Sequence, residues 1–139
     1  MRILGLDLGT KTLGVAVSDN LEIIASKYGT LTFNSEDYDD ALNKLKPVID
    51  EFKITTVVLG LPKNMNNTLG FASQRSLNFK EKLENIGLTV ILQDERLSSV
   101  EANNILIKGD TSRKKRKKSV DTLAAVIILQ SYLDKRKEV

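Results

Sequence analysis

Ile3-Leu4-Gly5-Leu6-Asp7-Leu8, the break Gly9-Thr10-Lys11, and Leu13-Gly14-Val15-Ala16-Val17-Ser18 follow one another near the start of the chain. Two β-prone apolar runs joined by a short Gly-containing break form a hairpin, expected as strands over Arg2 to Leu8 and Leu13 to Ser18. After the Asp19-Asn20 turn signal, Glu22 to Phe33 reads as a third strand, interrupted near Tyr28-Gly29. The chain therefore opens as an antiparallel meander. Ser35-Glu36-Asp37 starts a helix whose apolar positions Tyr38, Ala41, Leu45, Val48, Ile49 and Phe52 keep helical spacing, and Pro47 should kink or divide it. Thr55 to Leu59 and Leu88 to Gln93 are short, nearly continuous apolar runs of the kind buried on both faces of a parallel sheet. Helices are expected over Gly70 to Asn85, Ser98 to Ile107 and Ser119 to Lys135, with a basic loop before the last. The order predicts an α/β fold in one domain over residues 1–139. Its mixed five-stranded sheet has three antiparallel strands, then parallel ones, with helices on both faces.

Composition narrows the chemistry. The 139 residues contain neither Cys nor His. A thiol nucleophile, an imidazole base, a disulfide framework and a Cys- or His-ligated zinc are all excluded. Catalysis must use carboxylates, amines, hydroxyls, backbone dipoles or oxygen-liganded metals. The longest apolar run, Leu123 to Leu129, has seven residues, far short of the ~20 that span a bilayer. An acid as early as Asp7 does not suit a signal-peptide core, so a cytoplasmic protein without membrane association is expected.

Charge is concentrated. Between Lys108 and Lys118 seven bases oppose only Asp110, a local +6; with +3 overall, the rest of the chain carries −3. Arg113-Lys114-Lys115-Arg116-Lys117-Lys118 is an unbroken cationic run on a mildly acidic body, which suggests a polyanion bound at a defined place. No aromatic residue interrupts it, so the run suits phosphates rather than base stacking.

Three acids stand out by position. Asp7 sits inside an apolar strand, where a carboxylate costs several kcal/mol without compensation. Glu95, with Asp94 beside it, follows a buried strand, and Asp121 opens the most apolar helix. Strand ends and nearby helix starts are where α/β sheets build ligand sites. Carboxylates gathered there would need protonation or a cation to relieve their repulsion, and Mg²⁺ takes one or two carboxylates together with phosphate oxygens. Each acid also has an ordinary structural reading. Asp121 can face a helix dipole, and Asp94 can pair with Arg96 or cap the next helix.

The chain resembles the YqgF/RuvX family, pre-16S rRNA nucleases also described as Holliday junction resolvase-like. The resemblance rests on Leu4-Gly-Leu-Asp-Leu-Gly-Thr-Lys11 with Gly14-Val-Ala-Val-Ser-Asp19, and on Val58-Leu-Gly-Leu-Pro62 with Asn64-Met65. Asp94-Glu-Arg-Leu-Ser98 and Arg113 to Asp121, followed by Ala124-Ala125 and Ile128 to Leu133, complete it. It implies an RNase H-like fold and a nuclease whose Asp7, Glu95 and Asp121 bind Mg²⁺ or Mn²⁺ and activate water. It also favours Glu95 over Asp94. Lys11, Lys63, Asn64, Arg96 and Arg113 to Lys118 (Arg113, Lys114, Lys115, Arg116, Lys117, Lys118) are candidate contacts to the phosphate backbone. Asn66-Asn67 and Thr12-Leu13 depart from the family's Asp-Gly and Arg-Ile, beside the proposed site rather than in it.

Three functions compete on this reading. The first is processing of the 5′ end of pre-16S rRNA, with structured RNA or ribosomal particles as partner. The others are resolution of branched four-way DNA and RNA or ribosome binding without cleavage. A monomer or weak homodimer is expected.

Overall fold

The computed structural model describes residues 2–61, 71–94 and 113–137, with side chains for all of these except 71–72, 94, 113–121 and 136–137. In chain order the elements are β1 (Ile3–Leu8), β2 (Thr12–Ser18), β3 (Ala25–Thr32), α1 (Tyr38–Phe52), β4 (Thr56–Leu61), α2 (Phe71–Asn85), β5 (Thr89–Asp94) and α3 (Arg113–Lys137). The expected helix over Ser98 to Ile107 lies outside the described residues.

The five strands form one sheet in the order β3-β2-β1-β4-β5. β1 pairs antiparallel with β2 and parallel with β4, placing the first strand at the centre. Alternation divides the core. Leu4, Leu6, Leu13, Val15, Val57 and Leu59 face one way, against Ala41 and Leu45 of α1 and Phe79 and Leu83 of α2. Ile3, Ala16 and Val58 face the other way, against Ala125, Ile128, Leu129 and Leu133 of α3. The chain thus has the expected mixed α/β sheet with helices on both faces.

The interruption expected in the third strand is a β-bulge. Val15 pairs with Gly29 and Ala16 with Lys27, leaving Tyr28 as the extra residue. Its ring packs edge-on against Phe52 at 5.9 Å between centroids.

Two expectations are corrected. Pro47 does not divide or end α1, because one helix runs from Tyr38 to Phe52 with Pro47 inside. Pro47 and Asn43, whose carbonyl loses its helical donor, are both exposed, so water can take the orphaned acceptor. Nor is the basic run a loop. Arg113 to Lys118 are the first residues of α3, which is continuous to Lys137. Lys and Arg are good helix formers and no Gly or Pro interrupts the segment, so backbone propensity carries the helix through its own charge repulsion.

The β2–β3 connection is held by one carboxylate. Asp19 Oδ1 accepts from the backbone N–H of Ile23 at 2.7 Å and of Ile24 at 3.1 Å. These two bonds hold the Asp19 carboxyl below its ordinary value of 3.8. A depressed carboxyl contributes its stabilisation above the ordinary value and loses it as pH falls through the lowered one. The expected result of Asp19→Ala at neutral pH is faster amide hydrogen exchange at Ile23 and Ile24, with the sheet amides unchanged. Acidification through the lowered value should produce the same local change in the wild type.

Candidate active site

Asp7 is the second-last residue of β1 and is only 8% exposed. Alternation from Ile3 and Gly5 turns it toward α3. Gly5 explains how closely that helix approaches. A Cβ on Gly5 would lie 2.6 Å from Leu129 Cβ and 2.9 Å from the Ala125 carbonyl oxygen, so α3 rests on bare backbone of β1.

The register locates the other end of this contact. Asp7 pairs with Gly14, and Gly14 pairs with Thr30, so the three form one row across β1, β2 and β3. The Thr30 and Thr122 hydroxyls are hydrogen-bonded, which sets Thr122 of α3 above that row. Asp121 precedes Thr122 and stands one helical turn before Ala125. The fold thus brings the backbone of Asp121 to the end of the sheet that carries Asp7.

Asp121 does not open its helix. It lies in the third turn of α3, whose first turn contains no acid. The reading of Asp121 as a carboxylate facing the helix dipole is therefore removed, because that effect fades beyond the first turn.

Lys11 is exposed in the β1–β2 turn, immediately beyond the same strand end. The turn is fixed by Gly9 N–H donating to Thr12 O at 2.8 Å, and by Phe33 N–H and Glu36 N–H donating to Lys11 O and Thr10 O at 2.9 and 2.8 Å. β4 and β5 run parallel to β1 and end side by side, with Leu61 opposite Asp94. Lys63, Asn64, Glu95 and Arg96 follow those two strand ends in sequence and lie outside the described residues. Among the described residues no group of three or more His, Cys, Asp or Glu could hold a metal, and that set contains neither Glu95 nor the Asp121 side chain. No helix among them is long and apolar enough to cross a membrane.

The donor chemistry is nevertheless selective. A buried carboxylate in a chain lacking His and Cys offers oxygen ligands alone, which suit hard cations such as Mg²⁺ and Mn²⁺ rather than zinc. The cationic end of α3 adds an unusual field. Its six consecutive bases lie at the positive end of the helix dipole and repel one another, so an anion there relieves both.

Sequence reasoning missed Thr30 and Thr122. The only signal was Thr122 falling three and seven residues before Ala125 and Leu129, on the helix stripe that meets the sheet.

Comparison with known proteins agrees with this architecture. The family model described as "RuvX: Holliday junction resolvase" matches residues 1–135. A protein of Geobacillus kaustophilus named "Putative pre-16S rRNA nuclease" is 52% identical over 138 residues, covering 99% of this chain and 100% of the relative. A Staphylococcus epidermidis relative of the same name is 46% identical, covering 96% of this chain and 95% of its own. Among solved structures, RuvC of Thermus thermophilus in complex with a Holliday junction superposes with a TM-score of 0.61 at 17% identity, covering 100% of this chain and 97% of that one. The Fowlpox virus resolvase bound to junction DNA gives 0.60 at 15% identity, covering 98% and 99%. These last two establish the fold as that of RuvC-like resolvases. With the family model spanning nearly all of it, the chain belongs to the RuvX family.

Proposed function

We propose that the chain is a divalent-metal-dependent nuclease that hydrolyses phosphodiester bonds in pre-16S rRNA. The observation that carries this reading is the buried Asp7 carboxylate, set in an apolar strand beneath the turn of α3 that bears Asp121. Six cations begin the same helix. The relatives' shared name supports RNA as the substrate.

In this reading Asp7, Asp121 and Glu95 hold Mg²⁺ or Mn²⁺. Ile91 packs on the α3 side of β5, and the family resemblance favours Glu95 over Asp94 as the third ligand after that strand. Bound there, a pair of such ions would activate water and neutralise charge on the departing oxygen. The chain's own part is placement. The central strand fixes Asp7, while Lys11 and Arg113 to Lys118 hold phosphates on either side of the cut. Lys63, Asn64 and Arg96 complete the proposed phosphate contacts.

The test is cleavage of an end-labelled 16S rRNA precursor with Mg²⁺, with Mn²⁺ and with EDTA, alongside a four-way DNA junction. Metal-dependent cutting of the RNA is the expected result. The family description favours one second reading, a junction resolvase, which would cut the junction symmetrically and require a stable two-fold dimer. Binding of either substrate without cutting, on ribosomal particles as well as on free RNA, would reduce the protein to a binding factor. Binding should also weaken steeply with salt, each phosphate contact adding roughly 0.7 to 0.9 to the log–log slope. A slope near zero would remove the basic run from the interface.

A further inference from the structure

We infer that the hydroxyl pair Thr30–Thr122 is a positioning latch for the carboxylate site, fixing the rotation and height of α3 so that the backbone of Asp121 is held at the level of Asp7 on the sheet. The inference rests on the nuclease reading above and assigns two residues that this reading does not use.

Several contacts tie α3 to the sheet. Toward its C-terminal half Gln130 accepts from Ala25 N–H at 2.8 Å and donates to Ile23 O at 3.0 Å. Nearer the site Gly5 and the Thr30–Thr122 pair take over. Gly5 against Ala125 and Leu129 fixes how closely helix and strand approach. Apolar packing of that kind is non-directional and by itself specifies the helix's distance better than its rotation. The Thr30–Thr122 bond is directional, lies one turn nearer the cationic end, and ties the helix to the edge strand instead of the central one. A helix held on β1 at Gly5 and on β3 at Thr30 cannot turn without breaking the bond. Asp121, the residue next to Thr122, is carried with it.

Thr122 is only 7% exposed. A β-branched polar residue on a buried helix face is unfavourable by propensity and costly without a partner, so neither term accounts for its presence. Mg²⁺ demands near-ideal octahedral ligands at about 2.0–2.1 Å, which makes its affinity sensitive to small displacements of a carboxylate. A latch beside Asp121 therefore acts where tolerance is least.

The experiment is Mn²⁺ titration of the full chain by calorimetry, with thermal unfolding in parallel. Val preserves the shape and branching of Thr and removes only the hydroxyl. Thr122→Val is expected to bind Mn²⁺ about 10-fold more weakly, the lower end for groups that orient metal ligands. Thr122→Ser should restore wild-type affinity to within about twofold. Thr30→Val should match Thr122→Val, and the double variant should be no worse than either, as for two halves of one bond. Unchanged affinity in Thr122→Val overturns the inference. So does equal weakening by Val and Ser, which would make the effect one of packing, or additive losses in the double variant. Should Thr122→Val not fold, Thr30→Val carries the test alone, on a half-buried edge-strand position. If Asp7→Asn binds Mn²⁺ as well as the wild type does, or the wild type binds none, the carboxylate site itself falls and the latch falls with it.

Discussion

Asp7→Asn is expected to lower metal-dependent cleavage by about a thousandfold or more while leaving the protein folded, each factor of ten being about 1.4 kcal/mol of transition-state stabilisation. Asn keeps the size and one carbonyl oxygen of Asp, so β1 should pack as before. It loses the charge that, in the proposed site, would draw a divalent cation to Asp7, itself 8% exposed. Asn also keeps a hydrogen-bonding group at this buried position, so the unfolding temperature should change little. Single-turnover cleavage of whichever substrate the wild type cuts, with thermal unfolding beside it, measures both. Activity within threefold of wild type would take Asp7 out of the chemistry. A large loss of stability would make it a structural residue instead.

Gly5→Ala should be the most damaging small change to the fold. Its new methyl group would meet Leu129 Cβ at 2.6 Å and the Ala125 carbonyl oxygen at 2.9 Å. One is a backbone atom and the other is fixed directly to the backbone, so no side-chain rotation makes room. Helix α3 must lift from β1. Overpacking of this kind costs about 3 kcal/mol, against the half to one kcal/mol that replacing Gly gains by stiffening the unfolded chain. The net effect is a drop on the order of 10 °C in unfolding temperature. Cleavage should fall further than stability alone explains, because the lifted helix carries Asp121. Denaturant unfolding that gives less than about 1 kcal/mol would show the helix to be more mobile on the sheet than this packing allows.

Much of the architecture was legible because β1, β2, β4 and β5 are written in apolar runs that no helix period explains. The bulge at Tyr28 was legible too, since Gly29 breaks the strand pattern. Pro47 misled because propensity says nothing about exposure: the acceptor it orphans, on Asn43, faces water. The basic run misled for a related reason. A cluster of like charges suggests a loop, yet nothing in its backbone chemistry resists a helix. Asp7 could be singled out from its apolar neighbours alone. The place of Asp121 could not, because its level on the sheet depends on Gly5 and on the pairing of Gly14 with Thr30, contacts between distant residues. The Thr30–Thr122 bond joins positions 92 apart, and no local pattern announces it.

That separation also bears on timing. The sheet and the face packed by α1 and α2 use residues up to Asp94, whereas among the described residues the side of β1 that carries Asp7 is covered by α3 alone. During vectorial synthesis, Ile3, Ala16 and Val58 therefore stay uncovered until the segment around Ala125 to Leu133 has emerged from the exit tunnel. Contacts this distant in sequence form late. Until then Asp7 stands on the sheet without the helix turn that bears Asp121.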